Sequence, residues 1–404
     1  MTARRNRPWT WYRGGSVLLV AGLAALAVAA WWRPDPAAVY EQTLGALEAG
    51  RFDAAEAGLE RLGRLRAPTV LDWGVRARVA IARGRTDDAL AALARIPETH
   101  PLSGWAHLRS GQLELRRRRF RKAEVELRRA LDREDGLVEA RRELVYILGM
   151  QLRRRELDEQ FRWLSENATL TAHEVWVWGM SRDLVWWTPG EHAAILEDAI
   201  RADPEDLWSR LALAESHRRQ GHYDMAEEVL KPLPSSDPDA RAARAGLALE
   251  RQDPGAAAAL LADGPEDHPA LAGLRGRLAL ARRDGPEAIR HLQGALAAEP
   301  DRRSTLSDLG HAWLLAGDDE KGRPYLEASA RVDALNNLLL GAEGRTDKAD
   351  PDLWHRLGAA SEAADRHPQA RAWYLLAVRH DPLDSRAQQA LHHLKSGSAE
   401  SSSP

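Results

Sequence analysis

The sequence predicts an all-α chain, a solenoid of short antiparallel helices behind one apolar N-terminal segment. Three observations predict it. Beyond Pro36 the chain is dominated by Ala, Leu, Arg and Glu, all good helix formers, and strand-like Val/Ile/Thr alternation is nearly absent. Short Gly, Pro or Asp-Pro punctuation recurs every 12–20 residues or so, the spacing of paired short helices. Large and small residues also recur with a period of 34. The chain has 404 residues, more than one compact core of about 250–300 residues accommodates.

Residues 1–15 are basic, with Arg4, Arg5, Arg7 and Arg13 and no acid. Residues Ser16–Trp32 carry no charge, and as a helix they would reach about 25 Å, close to a bilayer's hydrocarbon core. Trp9, Trp11 and Tyr12 precede the run and Trp31 and Trp32 close it, which suits the two interfaces of a retained transmembrane signal anchor. The positive-inside rule then places the N-terminus in the cytoplasm and the rest outside the cytoplasmic membrane. Ala27-Val28-Ala29 is an alternative cleavage site, which would make the protein secreted.

The repeat frame steps from residue 36. Residues 36–240 hold six units, beginning at 36, 70, 104, 138, 173 and 207. Unit 36–69 places Gly50, Phe52, Ala55 and Leu59 at positions 15, 17, 20 and 24. Phe120 and Tyr223 again stand at position 17. Unit 138–171 diverges, with Leu157 where a small residue is expected. Residues 241–336 hold further units, the first of them shortened, and 337–350 reads as an insertion. Residues 351–395 form the last unit and a capping helix, and 396–404 a Ser-rich disordered tail.

The cleanest unit is 351–384. Trp354, Leu357, Gly358, Ala370, Tyr374, Ala377 and Pro382 stand at positions 4, 7, 8, 20, 24, 27 and 32. This pattern resembles the tetratricopeptide repeat, and the resemblance covers about residues 36–395. It implies helix-turn-helix units stacked into a right-handed superhelix, with small residues at 8 and 20 where the two helices approach. It also implies a concave groove lined by the first helix of each pair, at positions 2, 5, 9, 12 and 13, which binds protein or peptide ligands. Carried onto this chain, those positions give Trp105, Leu108, Gln112 and Arg116, then Arg142 and Tyr146, then Trp208, Glu215 and Arg219. The Asn that the family's carboxylate-clamp subgroup uses at position 9 is absent from these units.

Composition limits the chemistry. There is no cysteine, so disulfides, thiolate metal sites and a lipoprotein anchor are excluded. Net charge is −3, and no nucleic-acid partner is expected. No phosphate-binding loop, dinucleotide fingerprint, nucleophile elbow or H-E-x-x-H motif occurs, and we expect no enzyme activity, cofactor or metal. Two features stay open between a structural and a functional role. The Arg-rich run through LRRRRFRKAEVELRR is either a solvated helical face or a patch for an acidic partner, anionic lipid headgroups or an acidic polysaccharide. Trp163, Trp176, Trp178, Trp186 and Trp187 are either core filling or an exposed aromatic platform. The expected function is a membrane-tethered scaffold for complex assembly at the outer side of the cytoplasmic membrane. The alternatives are a cell-envelope polysaccharide-binding or export-associated protein and a cytoplasm-facing assembly adaptor.

Overall fold

The computed structural model describes residues 34–185, 187–346 and 349–400. The expected anchor Ser16–Trp32 and the cleavage site at Ala29 lie outside them, as does Trp186. Among the described residues there are 21 α-helices and no strand, and no helix is long and apolar enough to cross a membrane. The chain divides into two compact units, Met1–Ala106 and His107–Pro404.

The first unit holds α1 (Pro36–Glu48), α2 (Phe52–Leu65), α3 (Val70–Ala82) and α4 (Thr86–Leu93). Local chemistry starts these helices. Asp35 caps α1, with Pro36 at its first position. Thr69 and Asp72 form a reciprocal capping box at α3. Val75 and Val79 of α3 pack on Leu47 of α1 and Leu59 of α2.

Helix α5 (Ser103–Arg116) carries the unit boundary, and Trp105, half-buried, lies before it. The second unit continues with α6 (Phe120–Arg133), α7 (Val138–Met150), α8 (Arg154–Asn167), α9 (Ala172–Asp183) and α10 (Pro189–Ala202). Then follow α11 (Leu207–Arg219), α12 (Tyr223–Leu230), α13 (Pro238–Glu250), α14 (Pro254–Ala262), α15 (Pro269–Ala281) and α16 (Gly285–Ala298). The last are α17 (Arg303–Leu315), α18 (Asp319–Leu340), α19 (Pro351–Ala363), α20 (His367–His380) and α21 (Ser385–Glu400).

First helices start where the 34-residue frame puts them, with three differences. Helix α13 begins at Pro238, not at 241, because Asp237 caps it and proline suits the first helical position. The expected insertion at 337 is not a loop at its start. Helix α18 runs on to Leu340, since Val332, Leu335 and Leu339 extend its apolar stripe into the core. Helix α21 reaches Glu400, past the expected start of the tail at 396, as an existing helix adds residues cheaply.

The small residue at position 8 has a specific reason. Glycines 111, 276, 310 and 358 each face the large residue at position 24 of the same unit. A Cβ at Gly111 would lie 2.7 Å from Leu127, at Gly276 2.5 Å from Leu292, and at Gly358 2.5 Å from Tyr374. The turn between paired helices is equally regular. Position 15 has positive φ at Gly50, Gly84, Gly221 and Gly317, and also at Arg118, Leu152, Gln252, Arg283 and Asp365. A side-chain-bearing residue there costs about 1 kcal/mol, which five of these nine turns bear.

Unit 173–206 departs from the repeat. Its first helix, α9, packs on α8, α18 and α20, while α10 packs on α11. Trp176 donates from Nε1 to the Leu339 carbonyl at 2.8 Å. Gly179 permits the approach, since a Cβ there would meet Gln369 Nε2 at 2.3 Å and Leu339 at 2.9 Å. Trp178 stacks on Phe161 at 5.6 Å and donates to Asp158 at 2.8 Å. Together with Gln151, just after α7, which donates to Asp206 of the α11 cap, these helices close a circuit of contacts within the second unit.

Candidate functional site

Two adjoining cavities occupy the interior of that circuit, of about 350 and 400 Å³. The smaller is lined chiefly by first helices, α11, α13, α15 and α17. Their positions 2, 5 and 9 face it, as with Trp208, Leu211, Glu215, Gly246, Gly273 and Arg277. Glycines at two of these positions keep the wall shallow. The larger cavity lies among α8, α9, α18 and α20 and the segment 298–302. Arg154, Glu299 and Arg302 line both.

Ion pairs organise the walls. Arg218 and Arg219 both donate to Glu215. Burial raises the Glu215 carboxyl, but the bonds and charges of these arginines outweigh it and hold the group at about 2. Arg366 donates to Asp301 at 2.8 Å and Asp183 at 2.6 Å, and Arg182 to Asp301 and Asp158. The charges of Arg182 and Arg366 hold the Asp301 carboxyl below its usual range against the effect of burial. Burial pushes Asp308 up. Arg153 lies over the Trp208 ring at 4.9 Å, so that indole has one face already occupied.

Of the nine residues read from the sequence as groove-facing, Trp208 and Glu215 line a cavity. Arg219 supports Glu215 from the same helix. Leu108 is a correction. It is 4% exposed and packs in the core with Phe120 and Leu127, because the apolar stripe of α5 faces α6 there. Gln112 donates to Glu139 at 2.7 Å and Glu143 at 3.1 Å, tying α5 to α7. Arg142 donates to Glu174 at 2.7 Å, and Tyr146 accepts from Arg118 at 2.9 Å while meeting Phe120 and Trp187 edge-on. These side chains are engaged by neighbouring helices. Arg116 is exposed.

The Arg-rich run is extensively paired. Arg128 and Arg153 share Glu124 and Glu156, and Arg121 bridges to Asp203. Trp176 and Trp178 are core residues, and Trp163 lies beneath the Arg141 guanidinium at 3.9 Å. Cavity residues that sequence reasoning missed are Arg154, Arg302 and Arg277. A signal existed for the first, since Arg154 stands at position 17, where other units carry Phe52, Phe120 and Tyr223. Among the described residues no group of three or more His, Asp or Glu could hold a metal ion.

A family model described as tetratricopeptide repeat matches residues 193–248, which run from α10 into α13. Curated proteins give no match. Solved structures similar to the chain include the anaphase-promoting-complex hetero-tetramer Cut9-Hcn1, at 14% identity and a TM-score of 0.36, covering 94% of this chain and 81% of that one. A tetratricopeptide repeat protein from Parabacteroides merdae is similar at 16% identity and a TM-score of 0.28, covering 69% and 98%. The tetratricopeptide domain of P58(IPK) is similar at 14% identity and a TM-score of 0.28, covering 92% and 100%. The chain carries tetratricopeptide-type repeats, an architecture that generally serves as an interaction scaffold.

Proposed function

We propose that this tetratricopeptide-repeat chain is a membrane-tethered scaffold that binds a protein partner on the inner faces of α11, α13, α15 and α17. The observation that carries the reading is the wall of that cavity. Side chains at positions 2, 5 and 9 of successive first helices converge there, mixing apolar Leu211 with charged Glu215 and Arg277 around backbone bared by Gly246 and Gly273. Bared backbone and Arg beside an aromatic suit an extended peptide segment. The uncharged run Ser16–Trp32, with basic residues before it, supports a tether that holds the repeats at the outer side of the cytoplasmic membrane. Tethering raises the effective concentration of membrane-bound partners.

The test is crosslinking and pull-down from intact membranes, comparing wild type with a Leu211→Glu, Arg277→Glu variant that retains its helical circular dichroism. A discrete set of proteins lost with the variant is expected. A set unchanged by the variant, or none, overturns the cavity as the working surface. A phosphatase reporter fused after Lys395 checks topology: activity is expected, and an inactive fusion reverses the orientation.

A further inference from the structure

Arg154 is the first residue of α8 and lines both cavities, yet it has no acid of its own. Its Nε and Nη2 are shut off from solvent and find no hydrogen-bond partner among the described residues. The nearby carboxylates are committed elsewhere, Glu215 to Arg218 and Arg219, and Asp183 to Arg366. Burial, with the positive charges of Arg302 and Arg219 added, pulls the guanidinium down to about 10. A buried donor without an acceptor is costly, by more when it is charged.

A second arginine lines the same cavities beside it. Arg302 is the residue before α17 and makes no side-chain cap, as is also true of Arg51, Arg85, Arg119, Arg153 and Arg366 before their helices. Its guanidinium pairs with Glu299 and lines the same two cavities. Both α8 and α17 thus bring a helix N-terminus, already the positive end of a helix dipole, together with an arginine to one cavity wall. Arg154 is set apart by having no acid of its own while lining both cavities, which leaves positive charge there for an anion to meet.

We propose that this cavity is an oxyanion site, in which Arg154 takes a carboxylate or phosphate group with Arg302 and the N-termini of α8 and α17 around it. A planar guanidinium matches either group through two parallel N–H bonds, and the helix ends add further positive potential. The inference rests on the reading that the inner helix faces are the working surface, and it specifies what a partner presents there: an acidic side chain, a chain-terminal carboxylate or a phosphorylated residue. A free anion satisfies the same chemistry.

Titration calorimetry on the full chain in non-ionic detergent, at constant ionic strength, tests the site without knowledge of the partner. The probes are inorganic phosphate and, separately, an acetylated peptide of alternating Asp and Glu. Expected is saturable binding of at least one probe, weakened about tenfold or more in Arg154→Gln and less in Arg154→Lys, which keeps the charge and loses the fork. The melting temperature of anion-free Arg154→Gln is expected to equal or exceed that of wild type. Phosphate binding alone identifies a free or covalently held phosphate as the ligand, and peptide binding an acidic segment. Absence of binding by both probes up to about 50 mM overturns the site. So does equal binding by Arg154→Gln, or a lower melting temperature for that variant without anion, which would make Arg154 a structural residue. These outcomes are independent of the membrane pull-down, so the scaffold reading can fail while the site stands, and the reverse.

Discussion

Trp176 donates its indole N–H to the main-chain carbonyl of Leu339 at 2.8 Å, joining residues 163 positions apart in the chain. Neither residue is where a regular repeat would use it. Trp176 lies on a first helix that has left its partner, and Leu339 lies in a helix that overruns its unit by several residues. Their contact ties α9 to α18 within the circuit around the cavities.

Arg366 is the polar counterpart of that seal. It is 6% exposed and holds Asp183 of α9 and Asp301 before α17. Arg366→Ala leaves both carboxylates buried without it, and a loss of about 3–5 kcal/mol is expected. Urea unfolding followed by circular dichroism measures it. A loss below about 1 kcal/mol would mean that the two acids find water or other partners.

Gly358 faces the Tyr374 ring so closely that even one methyl group is excluded. Gly358→Ala is expected to destabilise the last full unit by about 1–3 kcal/mol, despite the better helix propensity of alanine. Amide hydrogen exchange in α19 and α20 should rise more than in α1 and α2. Unchanged exchange would show that Tyr374 can swing away without loss.

Position 15 predicts opposite signs for opposite substitutions. Gln252 is held at φ +59°, and Gly221 at φ +76°. Gln252→Gly is expected to stabilise by up to about 1 kcal/mol, and Gly221→Ala to destabilise by about the same amount. Thermal melts of the two variants should move in opposite directions. Shifts of the same sign would refute backbone strain as the reason.

Glu215 makes an acid-side prediction. Its carboxyl is lowered from 4.5 to about 2 in the folded protein. A depressed acid contributes stability above its unfolded pKa, and that contribution falls away as pH drops from about 4.5 through about 2. The contribution is at most about 3–4 kcal/mol, since one pKa unit corresponds to about 1.4 kcal/mol. Glu215→Gln should therefore flatten the stability–pH curve between those limits and leave it nearly parallel to wild type from pH 5 to 7. An unchanged slope in acid would mean that Arg218 and Arg219 do not hold the carboxylate in solution.

How much of this was legible varies by residue. The helix pairs were, because capping, turn and packing needs recur at fixed positions: small at 8 and 20, large at 24, left-handed at 15. Trp208 and Glu215 could be placed on the inner face by position alone. Leu108 could not, since the same helical face serves the core in one unit and the cavity in another. The boundary expected between 240 and 241 falls instead at Pro238, because proline fits the end of one unit and the first helical position of the next equally well.

The sequence by itself determined that the chain is helical, where nearly every first helix begins, and which residues face one another inside a repeat. Those are local matters, decided within about 34 residues by propensity, capping and periodic burial. Only the tertiary structure decided that α9 leaves its partner to pack on α18 and α20, and that Arg154 lines two cavities without an acid of its own. Such contacts join residues more than 150 positions apart, and they depend on small rotations accumulated over many stacked pairs. No short stretch of sequence carries that sum.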